Sequence, residues 1–308
     1  MSPDADFGLG QPSKHPDMVQ ALLRNQGVPP PPLKQRLFAL PVAEAIGVFA
    51  AAAPRVPRRR DLLRYGREVI GVPEPDLHRW YTQAWWGTFA NAACENRLIV
   101  KDRIKEVLDL VNPVDWSPLD ALEAEGKGVL LIGAHWGVHH VTSALLHHLG
   151  RHVMRVGVFH PHNHHPNADL SPKDSQAGLM RLYLQAFNNL RKGGLAVIIP
   201  DGTFWRNAVD ATFFGRPCKV SPAAATLARL TGAPGLPSRA LWDGQRIRIE
   251  FAPIIAPGTG DPEAADRAWM RQYLDWVEST ARTYPTAVCF NQLLPRVLLS
   301  PEATRVDQ

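Results

Sequence analysis

Residues 128–140 read GVLLIGAHWGVHH, and this segment carries the clearest structural signal in the chain. The run VLLI at 129–132 is short, wholly apolar and bounded by glycines, which is typical of a strand buried on both faces of a sheet. Apolar residues then recur at helix spacing from Val138 to Leu149, which predicts a helix directly after the strand. The polar residues between them are therefore expected at the carboxyl end of a buried strand.

The alternation of strands and helices continues towards the end of the chain. Strands are expected at 153–159, 195–200, 233–242 and 246–253, and helices at 178–192, 222–230 and 261–284. Asp243-Gly244 is expected to form the hairpin turn between the last two strands. This pattern predicts an α/β fold with a mixed central sheet flanked by helices and preceded by a helical N-terminal segment.

The chain is expected to form one main domain with two irregular ends. Its parts are a flexible proline-rich arm at 1–33, a single α/β domain at 34–300 whose helical part covers 34–120, and a tail at 301–308. Of the 308 residues, 45% are hydrophobic and 20% are charged, so the domain can bury a large core. A disordered protein is excluded for most of the chain.

Cysteine and charge point to a cytoplasmic protein that contacts a membrane surface. The three cysteines are widely spaced, which argues against a disulfide framework and against a cysteine-based zinc site. Residues 37–53 are apolar apart from Glu44, and six arginines follow by position 67. That run is too short to span a bilayer, so it predicts an interfacial helix on anionic lipid, or else a helix packed on the domain.

Histidines mark the region where chemistry is expected. Ten of the twelve lie between His135 and His165, in the segment after the first strand and in a second block, HPHNHH, at 160–165. His135 falls where the strand ends and the helix begins, and α/β folds bind ligands at the carboxyl ends of their strands. The positive end of a helix disfavours imidazolium, which keeps such a histidine neutral and able to act as a base.

Besides GAHWGVHH at 133–140, the chain contains the phrases LRKGGLAVIIPDGT at 190–203, FFGRP at 213–217 and LARLTGAP at 227–234. Together these four phrases resemble the lysophospholipid acyltransferase superfamily, and most closely the late acyltransferases of bacterial lipid A biosynthesis. Members carry H-x4-[DE] after a buried strand, and the order and spacing of the phrases agree over roughly residues 35–295. The resemblance implies an acyltransferase that needs no cofactor and works peripherally at the cytoplasmic face of the cell membrane.

The resemblance also implies roles for particular residues. His135 matches the general base, which takes the proton of a lipid or glycolipid hydroxyl or amine during transfer from acyl-CoA or acyl carrier protein. His140 stands where the family has the carboxylate that orients the base, and it brings no negative charge. Asp201 is the obvious candidate to supply that charge. If His140 only weakly replaces the carboxylate, His140→Glu is expected to raise turnover.

Five further residues are candidates for substrate binding. Arg206 and Arg216 are expected to hold a phosphate by bidentate contacts, or else to lie on the surface in ion pairs. Phe213 and Phe214 are expected to line an acyl-chain groove, or else to pack in the core. Thr203 closes a Pro-Asp-Gly-Thr string that looks like the P-E-G-T motif of glycerolipid acyltransferases.

Two other functions fit the same residues. A catalytically weak or inactive homologue that binds lipid follows from His140. A histidine-rich, metal-dependent hydrolase follows from the i, i+4 spacing of His135 and His139, with the histidines at 160–165 as further ligands. No carboxylate accompanies these histidines before Asp169, so we expect no metal site. No nucleic acid is expected as a partner, because the arginines flank an apolar run without a nucleic-acid-binding motif.

Overall fold

The computed structural model of the chain describes residues 59–99, 103–156, 176–202 and 209–287. The proline-rich arm, the apolar run at 37–53 and the histidine block at 160–165 lie outside these residues. Helices come first: α1 (Arg59–Tyr65), which continues into a π-helical turn (Gly66–Ile70), then α2 (Leu77–Ile99), α3 (Ile104–Leu108) and α4 (Ser117–Ala124). The helical segment expected before the sheet is therefore present.

Strands and helices then alternate. The strands are β1 (Val129–Ile132), β2 (Val153–Val156), β3 (Leu195–Ile198), β4 (Val209–Phe213), β5 (Arg216–Val220), β6 (Gly235–Asp243) and β7 (Arg246–Phe251). The helices among and after them are α5 (Val141–His148), α6 (Gln176–Arg191), α7 (Ala223–Thr231) and α8 (Pro262–Thr283). Helix α8 begins with Asp261, whose carboxylate accepts a hydrogen bond from the backbone N–H of Ala264, and with Pro262 in its first turn.

The central sheet has five strands in the order β2-β3-β1-β6-β7. The first four run parallel, and β7 returns antiparallel to β6. This confirms the mixed central sheet flanked by helices that the sequence predicts. Because β1 is the middle strand, its carboxyl end faces the crevice in which α/β proteins place their ligands.

Strand β1 is buried on both faces, as its uninterrupted apolar run predicts. Leu130 and Ile132 point into the largest core, together with Trp269 and Tyr273 of α8. Val129 and Leu131 point into a second core on the opposite face, together with Leu119 of α4 and Leu146 of α5. Alternate side chains of a strand point to opposite faces of the sheet, so the four residues of β1 contribute to both of these cores.

Two details differ from the sequence-based expectation. Val138 was expected in the helix, but its backbone N–H donates to the carbonyl of Ala240 and the helix begins at Val141. The antiparallel β4–β5 hairpin was not anticipated. Its turn residues Phe214 and Gly215 have φ values of 50° and 69°, and a phenylalanine at positive φ is an uncommon turn residue.

Hydropathy along the helices bears on membrane contact. Within the described ranges, none of the helices is both long and apolar enough to cross a bilayer. The apolar run at 37–53, on which we base the expected membrane contact, lies outside those ranges.

Candidate active site

The register of two neighbouring strands brings His135 and Asp201 together. Strands β1 and β3 pair in parallel with Ile132 opposite Ile198, and Gly133 extends the ladder by donating its backbone N–H to the carbonyl of Ile198. Each of the two polar residues follows its strand by three positions. The carboxyl ends of parallel strands lie at the same edge of a sheet, so the two side chains meet there.

Asp201 accepts two hydrogen bonds from His135. The ring Nδ1–H donates to Oδ1 over 2.7 Å, and the backbone N–H donates to Oδ2 over 2.9 Å. The carboxylate is 1% exposed, whereas the imidazole is 18% exposed. A carboxylate can only accept, so Nδ1 carries the proton and Nε2 keeps its lone pair when the ring is neutral. The pair is therefore an oriented base with a buried negative charge behind it.

The backbone turn that carries His135 is tightly fixed. The Tyr273 hydroxyl donates to the carbonyl of Gly133, and the backbone N–H of Gly137 donates to the carbonyl of Ala287. Gly137 has a φ of 52°, and a Cβ at this position would lie 2.0 Å from the carbonyl oxygen of Ala240. Only glycine fits both the left-handed backbone and this close approach.

Trp136 anchors the same turn in the core. Its side chain is 1% exposed and packs edge-on against Trp276 of α8, with ring centroids 5.1 Å apart. Since Trp136 follows His135 directly, its burial limits the freedom of the histidine backbone. Helix α8 therefore supports the turn through both Trp276 and Tyr273.

Three imidazole rings lie close together at this edge of the sheet. The centroids of His135 and His139 are 4.9 Å apart, and those of His139 and His140 are 4.1 Å apart. Burial lowers the pKa of His139 well below its usual value, and the neighbouring His135 lowers it further, while Asp201 acts in the opposite direction. His139 is therefore neutral at physiological pH.

His140 contacts a buried cation. It lies at the N-cap of α5, and Nη2 of Arg155 donates to its Nδ1. Arg155 is on β2 and only 9% exposed. At the position where the H-x4-[DE] pattern has a carboxylate, the chain thus places an imidazole beside an arginine, while the acid bonded to Nδ1 of His135 is Asp201.

The structure describes three of the five other predicted site residues. Phe213 and Phe214 are buried in the largest core and pack edge-to-face, which agrees with the packing alternative. Arg216 is partly exposed and lies 3.6 Å from Glu68, an ion pair of the kind expected at the surface. Arg206 and Thr203 lie outside the described residues.

Over the four described ranges, no group of three histidine, cysteine or acidic side chains is arranged to hold a metal ion. A cleft of about 570 Å³ lies between β4 and the first half of α8. Two of the arginines that line it, Arg267 and Arg271, pair with Glu263 and Asp275, so their charges are balanced within the protein.

Arg155 is the residue at this site that the sequence did not single out. The available signal was an arginine inside the apolar run at 153–159, because a charge in a buried strand requires a partner. The helix at 261–284 was expected, but not that its Tyr273 and Trp276 would support the His135 turn.

Comparison with known proteins adds no assignment. No protein-family model matches the chain, and no curated protein matches it either. Function is therefore inferred from the site itself, which is a partly exposed imidazole, oriented by a buried carboxylate, at the carboxyl edge of a parallel sheet. That arrangement can remove a proton from a hydroxyl or amine placed beside Nε2.

Proposed function

We propose that the protein is an acyltransferase that moves a fatty acyl group from an acyl thioester to a hydroxyl or amine of a lipid or glycolipid. His135 is the general base, and Asp201 orients it and stabilises the imidazolium that forms. The observation that carries the proposal is the pair of hydrogen bonds from His135 to the buried carboxylate of Asp201. The order and spacing of the sequence phrases from 133 to 234 also support it.

The reaction requires little besides an oriented base, because a thioester is already an activated acyl donor. Nε2 of His135 takes the acceptor proton while the acceptor oxygen or nitrogen bonds to the carbonyl carbon, and the carbonyl π electrons move onto their oxygen. When this intermediate collapses, the C–S bond breaks and the leaving thiolate takes the proton back from the imidazolium. The products are an ester or amide and a free thiol.

Asp201 contributes through its charge. In the serine-protease triad, replacing the buried aspartate by asparagine costs about 10⁴-fold in turnover, because the wrong tautomer of histidine is favoured. Asp201 occupies the same relation to His135, with Oδ1 at 2.7 Å from Nδ1. The proposal therefore does not need a carboxylate at position 140. Although the chain departs from H-x4-[DE], its base His135 and the acid Asp201 are in contact.

The expected setting is the cytoplasmic face of the cell membrane, to which the protein binds peripherally. The apolar run at 37–53 and the arginines that follow it support this setting, since apolar burial and attraction to anionic lipid add. The donor is an acyl-CoA or an acyl carrier protein, and the acceptor is a lipid or glycolipid.

The direct test is transfer of a labelled acyl group to lipid. The full-length protein is incubated with labelled acyl-CoA or acyl carrier protein and bacterial lipid extract, and both thiol release and labelled lipid are measured. Lipid that copurifies with the protein, identified by mass spectrometry, guides the choice of acceptor. We expect thiol and acylated lipid in equal amounts, and a loss of 10²- to 10⁴-fold in His135→Ala.

A matched control uses His148, which is exposed near the end of α5. His148→Ala should retain the wild-type rate, because its side chain lies outside the proposed site. Thiol release without acylated lipid would instead indicate hydrolysis, and a bound metal in elemental analysis would support the metal-dependent alternative. If the wild-type protein transfers an acyl group from neither donor, the remaining interpretation is a homologue that only binds lipid.

A further inference from the structure

The contact between Arg155 and His140 has no part in the reaction steps above. Arg155 extends from β2 and is only 9% exposed. Its Nη2–H donates to Nδ1 of His140. Placing a guanidinium in a buried position costs free energy unless strong hydrogen bonds compensate, so this contact constrains both side chains.

The chemistry of the guanidinium determines the tautomer of His140. Arginine has only donors, so Nδ1 must offer its lone pair and cannot carry a proton. A neutral imidazole then has its proton on Nε2.

We propose that Arg155 is a positioning residue that fixes His140 as the Nε2–H tautomer, and that His140 donates this hydrogen bond to the carbonyl oxygen of the thioester. The inference rests on the proposed function for the identity of the group that is bound. No proton leaves His140: as the carbonyl π electrons move onto oxygen, the Nε2–H bond is directed at the developing negative charge. Neutral imidazoles that polarise carbonyls in this way are known from other enzymes.

The arrangement of the rings supports this division of labour. The His139 ring lies beside both other rings at the same edge of the sheet, with its centroid 4.9 Å from that of His135 and 4.1 Å from that of His140. His135, as the base, serves the acceptor, and His140, as the donor, serves the carbonyl oxygen. When both rings are neutral, the bond to Asp201 leaves Nε2 of His135 without a proton, and the contact with Arg155 leaves Nε2 of His140 with one.

The tautomer is measured first, because it requires no substrate. In protein labelled with ¹⁵N at histidine, the ring signals of His140 are assigned with the help of His140→Gln. We expect a protonated Nε2 and an unprotonated Nδ1 in the wild type, a mixture of tautomers in Arg155→Met, and partial restoration in Arg155→Lys. Arg151→Met is the matched control, because Arg151 pairs with Asp120 and Glu123 instead.

The donor role is then measured by kinetics. Removing one oxyanion donor costs 10²- to 10³-fold in kcat, so we expect this loss, with little change in KM, in His140→Phe and Arg155→Met. His140→Gln retains an N–H donor and should stay within about tenfold of the wild type. Arg155→Lys should recover part of the rate.

The outcomes separate this inference from the proposed function. A protonated Nδ1 of His140 in the wild type overturns it before any rate is measured. A kcat of His140→Phe within tenfold of the wild-type value also overturns it. Unchanged ring signals and an unchanged rate in Arg155→Met overturn it as well. If the wild type transfers no acyl group, the proposed function and the donor role fail together, and the ¹⁵N signals alone decide whether Arg155 positions His140.

Discussion

His140 takes the place of a carboxylate in the H-x4-[DE] pattern, and its neighbours determine what a substitution there will do. From the pattern alone, His140→Glu is expected to raise turnover by restoring the missing charge. The contacts in the structure lead us to expect the opposite. Asp201 is bonded to Nδ1 of His135, and a glutamate at 140 would lie beside the Arg155 guanidinium.

We therefore predict that His140→Glu lowers kcat by 10-fold or more. The new carboxylate would form an ion pair with Arg155 and remove an N–H donor from the site. Steady-state transfer with one acyl donor, compared with the wild type and His140→Gln, measures the effect. A higher rate in His140→Glu would show that position 140 works as a weak substitute for the family carboxylate.

The residues of the site could be named from the sequence, but most of their contacts could not. His135 and Asp201 each follow an apolar strand, which is a local signal that the sequence contains. Their contact depends on β1 and β3 being neighbours in register, although 66 positions separate the two residues. The contact of Arg155 with His140 depends in the same way on tertiary packing, so local patterns do not reveal it.

At the scale of elements, the turn between β1 and α5 holds the base, and Gly137 is its most constrained position. We predict that Gly137→Ala destabilises the protein by at least about 3 kcal/mol, because a left-handed alanine is strained and its Cβ would overlap the carbonyl of Ala240. Urea unfolding followed by circular dichroism measures the loss.

Gly150 is the matched control for this prediction. It has a φ of 78°, but a Cβ there would have no neighbour within 4 Å. Gly150→Ala should therefore cost only the backbone strain, about 1–2 kcal/mol. Equal losses at the two glycines would show that the close approach of the turn to β6 is not what fixes Gly137.

Helices α7 and α8 are joined by a partly buried ion pair. Asp266 accepts two hydrogen bonds from Arg229, at 2.7 and 3.0 Å, and one from the Thr226 hydroxyl at 2.6 Å. We predict that Asp266→Ala costs about 2–4 kcal/mol of unfolding free energy, because it leaves a cation and a hydroxyl without their shared acceptor.

Asp275 on the same helix provides the comparison. Its side chain is 52% exposed and pairs with Arg271 one turn away. Exposed pairs of this kind contribute little, so Asp275→Ala should change the unfolding free energy by less than about 0.5 kcal/mol. If the two variants unfold at the same urea concentration, the Asp266 network does not clamp the helices.

Elements were predicted best where burial leaves a strong local pattern. The apolar runs of β1 and β3 and the helical pattern of α8 are the clearest examples. The predicted ends of these three elements lie within one or two residues of the observed ends. The β4–β5 hairpin was missed because its strands alternate between partly exposed and exposed residues and its turn holds Phe214 at positive φ. A Phe-Gly turn is not one of the short sequences that usually signal a hairpin.

For the whole molecule, we predict binding to anionic membranes through residues 37–60. Flotation with anionic and neutral liposomes measures it, and salt should weaken it. Each arginine near the surface contributes about 1 kcal/mol, so replacing Arg58, Arg59 and Arg60 by glutamine should reduce the affinity roughly 100-fold.

The control for this prediction removes the same charge elsewhere. Glutamine at three exposed arginines, Arg79, Arg267 and Arg271, lowers the net charge of +5 equally. This variant should float like the wild type. Equal binding to neutral and anionic vesicles would contradict the electrostatic part of this prediction, and equal loss in both triple variants would contradict a membrane site at 37–60.

The central claim is that His135 and Asp201 act as one catalytic unit, and a double-mutant cycle on acyl transfer tests it most directly. Single-turnover rates are measured for the wild type, His135→Ala, Asp201→Asn and the double variant. We predict losses of 10²- to 10⁴-fold for His135→Ala and up to about 10⁴-fold for Asp201→Asn, with the double variant no slower than the slower single variant. Losses that multiply in the double variant, or a wild-type protein that transfers no acyl group, would contradict the claim.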